Sequence, residues 1–557
     1  MFPVSVTMPL RTCTPTSVSV TTGSHASSAR TSFLIWTSDL VVTVVMAASA
    51  ARSIHSPVSQ SSDRGVCLTM RMPLRSGPCD GKTSRIRAVR EAAPPEPAEP
   101  PIRELSLRAP ARPAPIMARR RVHRLLASHP SPESISMPPA PGLQFHILAF
   151  EGPDAYSRAG GIASRISGLA EALAEAGHET HLWFVGDPDL PGHEECNGVH
   201  LHRWCQWISR YHPNGVYEGE EGKHDDLARS LPPYLLRSLI PNLNAGGRAV
   251  VLAEEWHTVH AVLHLDWLMR CVGLRECVAI LWNANNVFGF ERIDWGRLQA
   301  AATITTVSRY MKHWMAPLGV DALVIPNGLD RDAFAAPDFL AARALRELYP
   351  DRLLLTKVAR FDPDKRWLAT MDIVAELKRR GVRPLLIARG GMEAHGAEVR
   401  ARSAELGLSV EERRVARPGP QGLVEALAGA HLADVIELKS PIDPPGRRTL
   451  FREVDVVLAN SGHEPFGLVG LEAMAAGGMA CTGCSGEDYA QPGRNALVLQ
   501  TADPGEFIGL YGWLQRHPDK ERAMRQAGRD TAKDYAWPLV VERHLLPRIE
   551  LLAAGAG

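Results

Sequence analysis

From Leu143 onward the chain alternates short, continuous apolar runs with stretches whose apolar positions recur at helical spacing. The first series comprises Phe145–Phe150, His181–Val185, Ala249–Ala253, Val278–Trp282, Thr303–Val307 and Leu323–Ile325. The second comprises Leu353–Val358, Leu385–Ala388, Val435–Leu438, Val454–Leu458 and Ala496–Leu499, with a weak run at Met479–Thr482. Runs that are continuous rather than alternating predict strands buried on both faces, hence parallel sheets. Strand–helix alternation twice over predicts an α/β chain with two doubly wound, Rossmann-like domains. Pro326-Asn327-Gly328-Leu329-Asp330 breaks the pattern between them.

Composition changes the picture only for the first third. Hydrophobic residues make up 45% and charged residues 22% of the 557, with a net charge of +1. These are the proportions of a globular protein with no global pull toward nucleic acid. Residues 1–142 differ: Ser, Thr, Arg and Pro dominate, and a proline-rich tract follows Pro94. This predicts a disordered or non-native extension. Phe33–Ala51, with its Val41–Met46 core, looks like a displaced signal segment. The nine cysteines are scattered. Cys481-x-x-Cys484 has no second pair to complete a zinc site, and a reducing, cytoplasmic setting is expected.

The most informative stretch is Glu464-Pro465-Phe466-Gly467-Leu468-Val469-Gly470-Leu471-Glu472. It follows a strand, opens a short helix, and ends at Gly477-Gly478. Open helix N–H groups at Gly467, Leu468 and Val469 attract phosphate. Glu464 lies in the loop at the strand's carboxyl end, where open α/β sheets bind ligands. Glu472 lies about one turn into the helix. Phosphate between two carboxylates suits a nucleotide-sugar. Arg158-Ala159-Gly160-Gly161 opens a helix after the first strand, and its paired glycines permit close backbone approach to a ligand. After the first strand of the second series, Arg360 and Lys365 can grip a diphosphate, one as a fork and the other as a point charge. No convincing Asp-x-Asp appears at a strand end, so no metal is expected.

These motifs, in this order, resemble retaining glycosyltransferases of the GT-B fold, family 4 and its glycogen- and starch-synthase-like relatives. The resemblance spans residues 144–550. The segment from Glu464 matches the family's E-x7-E, Arg360 and Lys365 match G-R-x4-K with Ala359 in place of the glycine, and Arg158 replaces the lysine of Lys-x-Gly-Gly. It implies an acceptor-side domain at 143–332, a nucleotide-sugar domain at 333–534 facing it across a cleft, and a helix at 535–557 that crosses back. It further implies catalytic Arg360, Lys365 and Glu464, and donor binding by Arg158, Gly160, Gly161, Gly467, Leu468, Val469 and Glu472. Two family histidines are missing, with Glu254 and Asn285 in their places, which argues against glucan synthesis.

The expectation is a retaining, metal-independent hexosyltransferase. It would take a nucleotide-diphosphate sugar as donor substrate, with no cofactor, and a glycan or small molecule as acceptor. No nucleic-acid partner and no transmembrane span are expected; peripheral membrane contact is left open. The alternatives are a non-catalytic sugar-nucleotide or glycan-binding protein and a sugar-nucleotide epimerase of the same fold.

Overall fold

The computed structural model describes residues 33–38, 41–46 and 143–555. The two early segments, Phe33–Ser38 and Val41–Met46, form an antiparallel ladder in a unit of their own, Met1–Ala118. The rest of the expected extension, including its proline-rich tract, lies outside the described residues.

The remainder holds two sheets. The first has eight strands in the spatial order Leu323–Val324, Thr303–Thr306, Val278–Ala284, Arg248–Glu254, Leu143–Leu148, Glu179–Val185, Val199–Trp204 and His193–Cys196. All run parallel except the last, which pairs antiparallel with its neighbour. The second has seven parallel strands in the order Val410–Arg413, Val435–Leu438, Pro384–Arg389, Leu353–Val358, Val456–Ala459, Ala480–Thr482 and Leu497–Val498. In each sheet the first strand in sequence sits centrally and the order reverses beside it. The loops leaving those strands therefore open at a switch point, where a crevice forms.

Three strands escape the pattern of apolar runs. His193–Cys196 and Val199–Trp204 form a hairpin around Asn197 and Gly198, both at positive φ (53° and 75°). Asn-Gly flanked by alternating residues is a strong hairpin signal, and Val199–Trp204 alternates buried and half-buried positions. Val410–Arg413 is an edge strand with no buried residue, so it shows no apolar run. The expected strand at Val454 begins instead at Val456. Asp455 meets the neighbouring strand twice at Leu354: its carboxylate accepts the Leu354 N–H at 2.7 Å and its own N–H donates to the Leu354 carbonyl at 2.9 Å.

The C-terminal segment returns to the first sheet. Leu329 donates its N–H to the Tyr535 carbonyl at 2.7 Å, and Trp537 donates to the Leu329 carbonyl at 3.1 Å. Trp537 is buried over Gly168 and Gly328, where any Cβ would overlap its indole. Val540, Val541, Leu545 and Ile549 continue into the apolar cluster of Phe145, Ile147, Leu169 and Leu173. Among the described residues no helix is long and apolar enough to cross a membrane.

Trp537→Ala should therefore destabilise by about 3–5 kcal/mol, the usual cost of emptying a buried indole site. The urea midpoint checks this; an unchanged midpoint would show that the returning segment does not hold the first sheet's domain.

Candidate functional site

Two loops face each other at the carboxyl ends of the two sheets. The helix Gly161–Glu175 follows the first strand of the first sheet, and the helix Leu468–Ala475 follows Val456–Ala459 of the second. A Cβ added to Gly161 would lie 4.0 Å from Leu468 Cδ1. Beside this contact opens a cavity of about 610 Å³, lined among others by Arg158, Asn327, Asp330, Arg447, Leu468 and Glu472. A second cavity, about 470 Å³, shares no lining residue with it. There Arg346, Arg525 and Arg529 are committed to Asp455, Glu521 and the Phe334 carbonyl.

The glycine loop is less open than its sequence implies. Glu151 accepts the N–H of Gly160 at 3.0 Å and of Ala163 at 3.1 Å, and Tyr217 donates its hydroxyl to Glu151 at 2.7 Å. A carboxylate of the chain itself thus occupies the place expected for a ligand at this helix start. Arg158 is exposed at the cavity wall and donates to the Pro153 carbonyl at 3.2 Å.

The other helix start is different. Gly467 is left-handed (φ 79°), and no side chain caps the helix. The Tyr489 hydroxyl donates to the Gly467 carbonyl, which fixes the turn. Glu464 forms an ion pair with Lys365, so one of the two expected cations is already neutralised by the first glutamate of the motif. The Arg360 guanidinium is exposed and has no hydrogen bond or ion pair among the described residues; its carbonyl accepts the Trp367 indole N–H at 2.7 Å. Glu472 pairs with Arg447 at 3.0 Å on the cavity wall. Burial raises its carboxyl, opposed by Arg447.

Several further polar groups are paired or buried around these loops. Glu254 and Asn285, which stand in place of the two family histidines, bond to each other: Asn285 Nδ2 donates to Glu254 Oε2 at 2.7 Å. Asn283 donates to the same oxygen at 2.8 Å, and Arg165 Nε reaches both oxygens at 3.1 and 3.2 Å. Arg165 also donates to Asn327 Oδ1 at 2.7 Å, so this buried network reaches the cavity wall. Lys357 is buried, donates to Asn460 Oδ1 at 2.6 Å, and has its pKa lowered to about 7, chiefly by burial. His257 stacks on Phe150 and bonds Glu220 at 2.7 Å; burial lowers it to about 4. Cys481 and Cys484 are both free thiols. Among the described residues no group of three or more His, Cys, Asp or Glu is disposed to hold a metal ion.

Glu255 is the strained residue here. Its φ of 66° and ψ of 167° are nearly glycine-only, and its buried carboxylate accepts the Asn285 N–H at 2.7 Å. Burial pushes it up to about 8, and Glu254 adds to the shift.

The two doubly wound sheets have the GT-B fold. Residues 159–333 match the family described as Glycosyltransferase Family 4. The sucrose-phosphate synthase of Thermosynechococcus elongatus aligns over 74% of this chain and 100% of its own, with TM-score 0.52 and 19% identity. The catalytic domain of Arabidopsis thaliana starch synthase IV aligns over 74% and 99%, with TM-score 0.53 and 16% identity. Among curated proteins, the D-inositol 3-phosphate glycosyltransferase of Streptomyces scabiei is 27% identical over 42% of this chain and 50% of its own length. The phosphatidyl-myo-inositol mannosyltransferase of Mycobacterium tuberculosis is 27% identical over 45% and 60%. The chain spans about half the length of the curated relatives it matches.

The Glu255 carboxyl carries a raised pKa in the fold, so between the ordinary carboxylate value and about 8 the native state binds more protons than the unfolded chain. Its contribution is fully present below the unfolded value and is lost as pH rises through that window. Glu255→Gln removes the loss. The melting temperature of the variant should gain on the parent's between pH 5 and pH 8; a pH-independent gap would contradict the assignment.

Proposed function

We propose that the protein is a retaining glycosyltransferase that moves a sugar from a nucleotide-diphosphate sugar to an acceptor hydroxyl, without a metal ion. The observation that carries this reading is the approach of Gly161 to Leu468 beside the cavity, which sets the uncapped helix start of the second sheet against the first sheet's loop.

In this reading the diphosphate lies at the uncapped helix start, where backbone N–H groups and the helix dipole favour negative charge. Arg360 is free to take a bidentate grip on it, and Lys365 stands beside it with Glu464. The leaving diphosphate gains charge in the transition state, so preorganised cations act where they lower the barrier. Glu464, at the sugar, and Glu472, at the ribose, would exchange their present cation partners for donor hydroxyls or share them. The acceptor approaches from the first sheet's side, and closure of the cleft excludes water that would hydrolyse the donor. The relatives named for inositol phosphate and phosphatidyl-inositol support a small polyol-type acceptor. A second reading, a sugar-nucleotide-binding protein without catalysis, is favoured by the Glu254–Asn285 pair, which gives the site different chemistry from two histidines.

Arg360→Ala should lower turnover about 10²–10³-fold with little change in donor KM, the scale for losing one preorganised donor to developing charge. Arg360→Lys should also be damaging, because a point charge does not reproduce the fork. Steady-state kinetics with the preferred donor, with and without magnesium, decide this; near-normal turnover of Arg360→Ala would overturn the role. Glu472→Gln should raise donor KM more than it lowers turnover, and an unchanged KM would confine Glu472 to its pair with Arg447.

A further inference from the structure

Glu487 is a buried carboxyl that the reading above leaves unused. It lies in the loop after Ala480–Thr482, is 7% exposed, and neither of its carboxyl oxygens has a hydrogen-bond partner among the described residues. Its side chain stands directly against the uncapped helix start. A Cβ added to Gly467 would lie 2.8 Å from Glu487 Cγ and 3.2 Å from Glu487 Oε1, and also 3.2 Å from Glu464 Cγ. Two glutamates therefore flank one glycine. Glu464 is ion-paired with Lys365; Glu487 forms no ion pair among the described residues.

A buried polar group with no partner is costly, and a hydroxyl arriving with a ligand would relieve that cost. Glu464, Lys365, Arg366 and Tyr489 are the titratable groups around Glu487. Burial, then the charge of Glu464, pushes the Glu487 carboxyl up to about 9, so it stands un-ionised at neutral pH. An un-ionised carboxyl offers one O–H donor and one carbonyl acceptor. A phosphate oxygen would use only the donor. A sugar hydroxyl, which both gives and takes a hydrogen bond, satisfies both orphaned atoms.

We propose that Glu487 is a sugar-recognising residue that grips a hydroxyl of the transferred sugar, beside Glu464, and so separates a sugar nucleotide from its bare nucleoside diphosphate. This rests on the glycosyltransferase reading. The ligand class is a hexose still attached to its diphosphate.

The test compares binding of UDP-glucose, GDP-mannose and ADP-glucose with UDP, GDP and ADP by calorimetry, for the parent, Glu487→Leu and Glu487→Gln. In the parent, one sugar nucleotide should bind more tightly than its diphosphate. Glu487→Leu should weaken that sugar nucleotide about tenfold, the scale of one lost hydrogen-bonding group, and leave the bare diphosphate unchanged. Glu487→Gln, which also donates and accepts, should recover most of the difference. Equal weakening of both ligands, or no weakening, would overturn the role of Glu487 while leaving the glycosyltransferase reading intact. Failure of every sugar nucleotide and every diphosphate to bind the parent would overturn both.

Discussion

The seat of Trp537 is the constraint on which the rest depends. A bare glycine in the helix Gly161–Glu175 and another in the crossover at Asn327–Asp330 leave the hollow that the indole fills. Through that contact, and the backbone pair of Leu329 with Ala536, the end of the chain is fixed beneath the first sheet. The same crossover carries Asn327, which Arg165 holds from below, and Asp330, which lines the cavity. A rigid crossover fixes how the carboxyl ends of the two sheets are presented to each other, and a binding crevice is made by that presentation rather than by any one side chain.

The electrostatics of the cleft follow from unequal pairing of similar groups. Glu464 and Glu472 each have a cation, Lys365 and Arg447, whereas Glu487 has none and Glu255 accepts a backbone N–H without a cation. Burial pushes the Glu255 carboxyl up to about 8 and the Glu487 carboxyl up to about 9, so carboxyls paired with cations and carboxyls able to donate a hydrogen bond stand in one region. Arg360 stands out on the other side of the ledger as an exposed guanidinium with no partner among the described residues. A group in that state is available to a ligand's anion at no cost in broken pairs.

Much of the fold was legible in the sequence because buried parallel strands leave continuous apolar runs, and every run of the two series from Leu143 onward corresponds to a strand in one of the two sheets. The failures have physical reasons. Val410–Arg413 sits at an edge with no buried residue, and the hairpin at Asn197-Gly198 alternates instead of running continuously. Motifs singled out Glu464, Glu472, Arg360 and Lys365 as candidates, since each lies at a fixed offset from a strand end. They did not show that Lys365 pairs with Glu464, that Glu151 caps the glycine loop, or that Glu472 meets Arg447. Those pairings join residues far apart in sequence, and only the folded chain brings them together. Glu254 and Asn285 were visible as departures from the family, but their mutual hydrogen bond was not. Glu487 carried no signal at all, because an orphaned carboxyl is defined by what surrounds it.

The central claim is that a nucleotide-sugar lies in the cleft against the uncapped helix start. Hydrogen exchange read by mass spectrometry, with and without a bound sugar nucleotide, tests it most directly. The account expects slowed exchange in two separated segments, residues 358–366 and 464–472, with a smaller effect at 158–163. Tight binding that protects neither of the first two segments would contradict it.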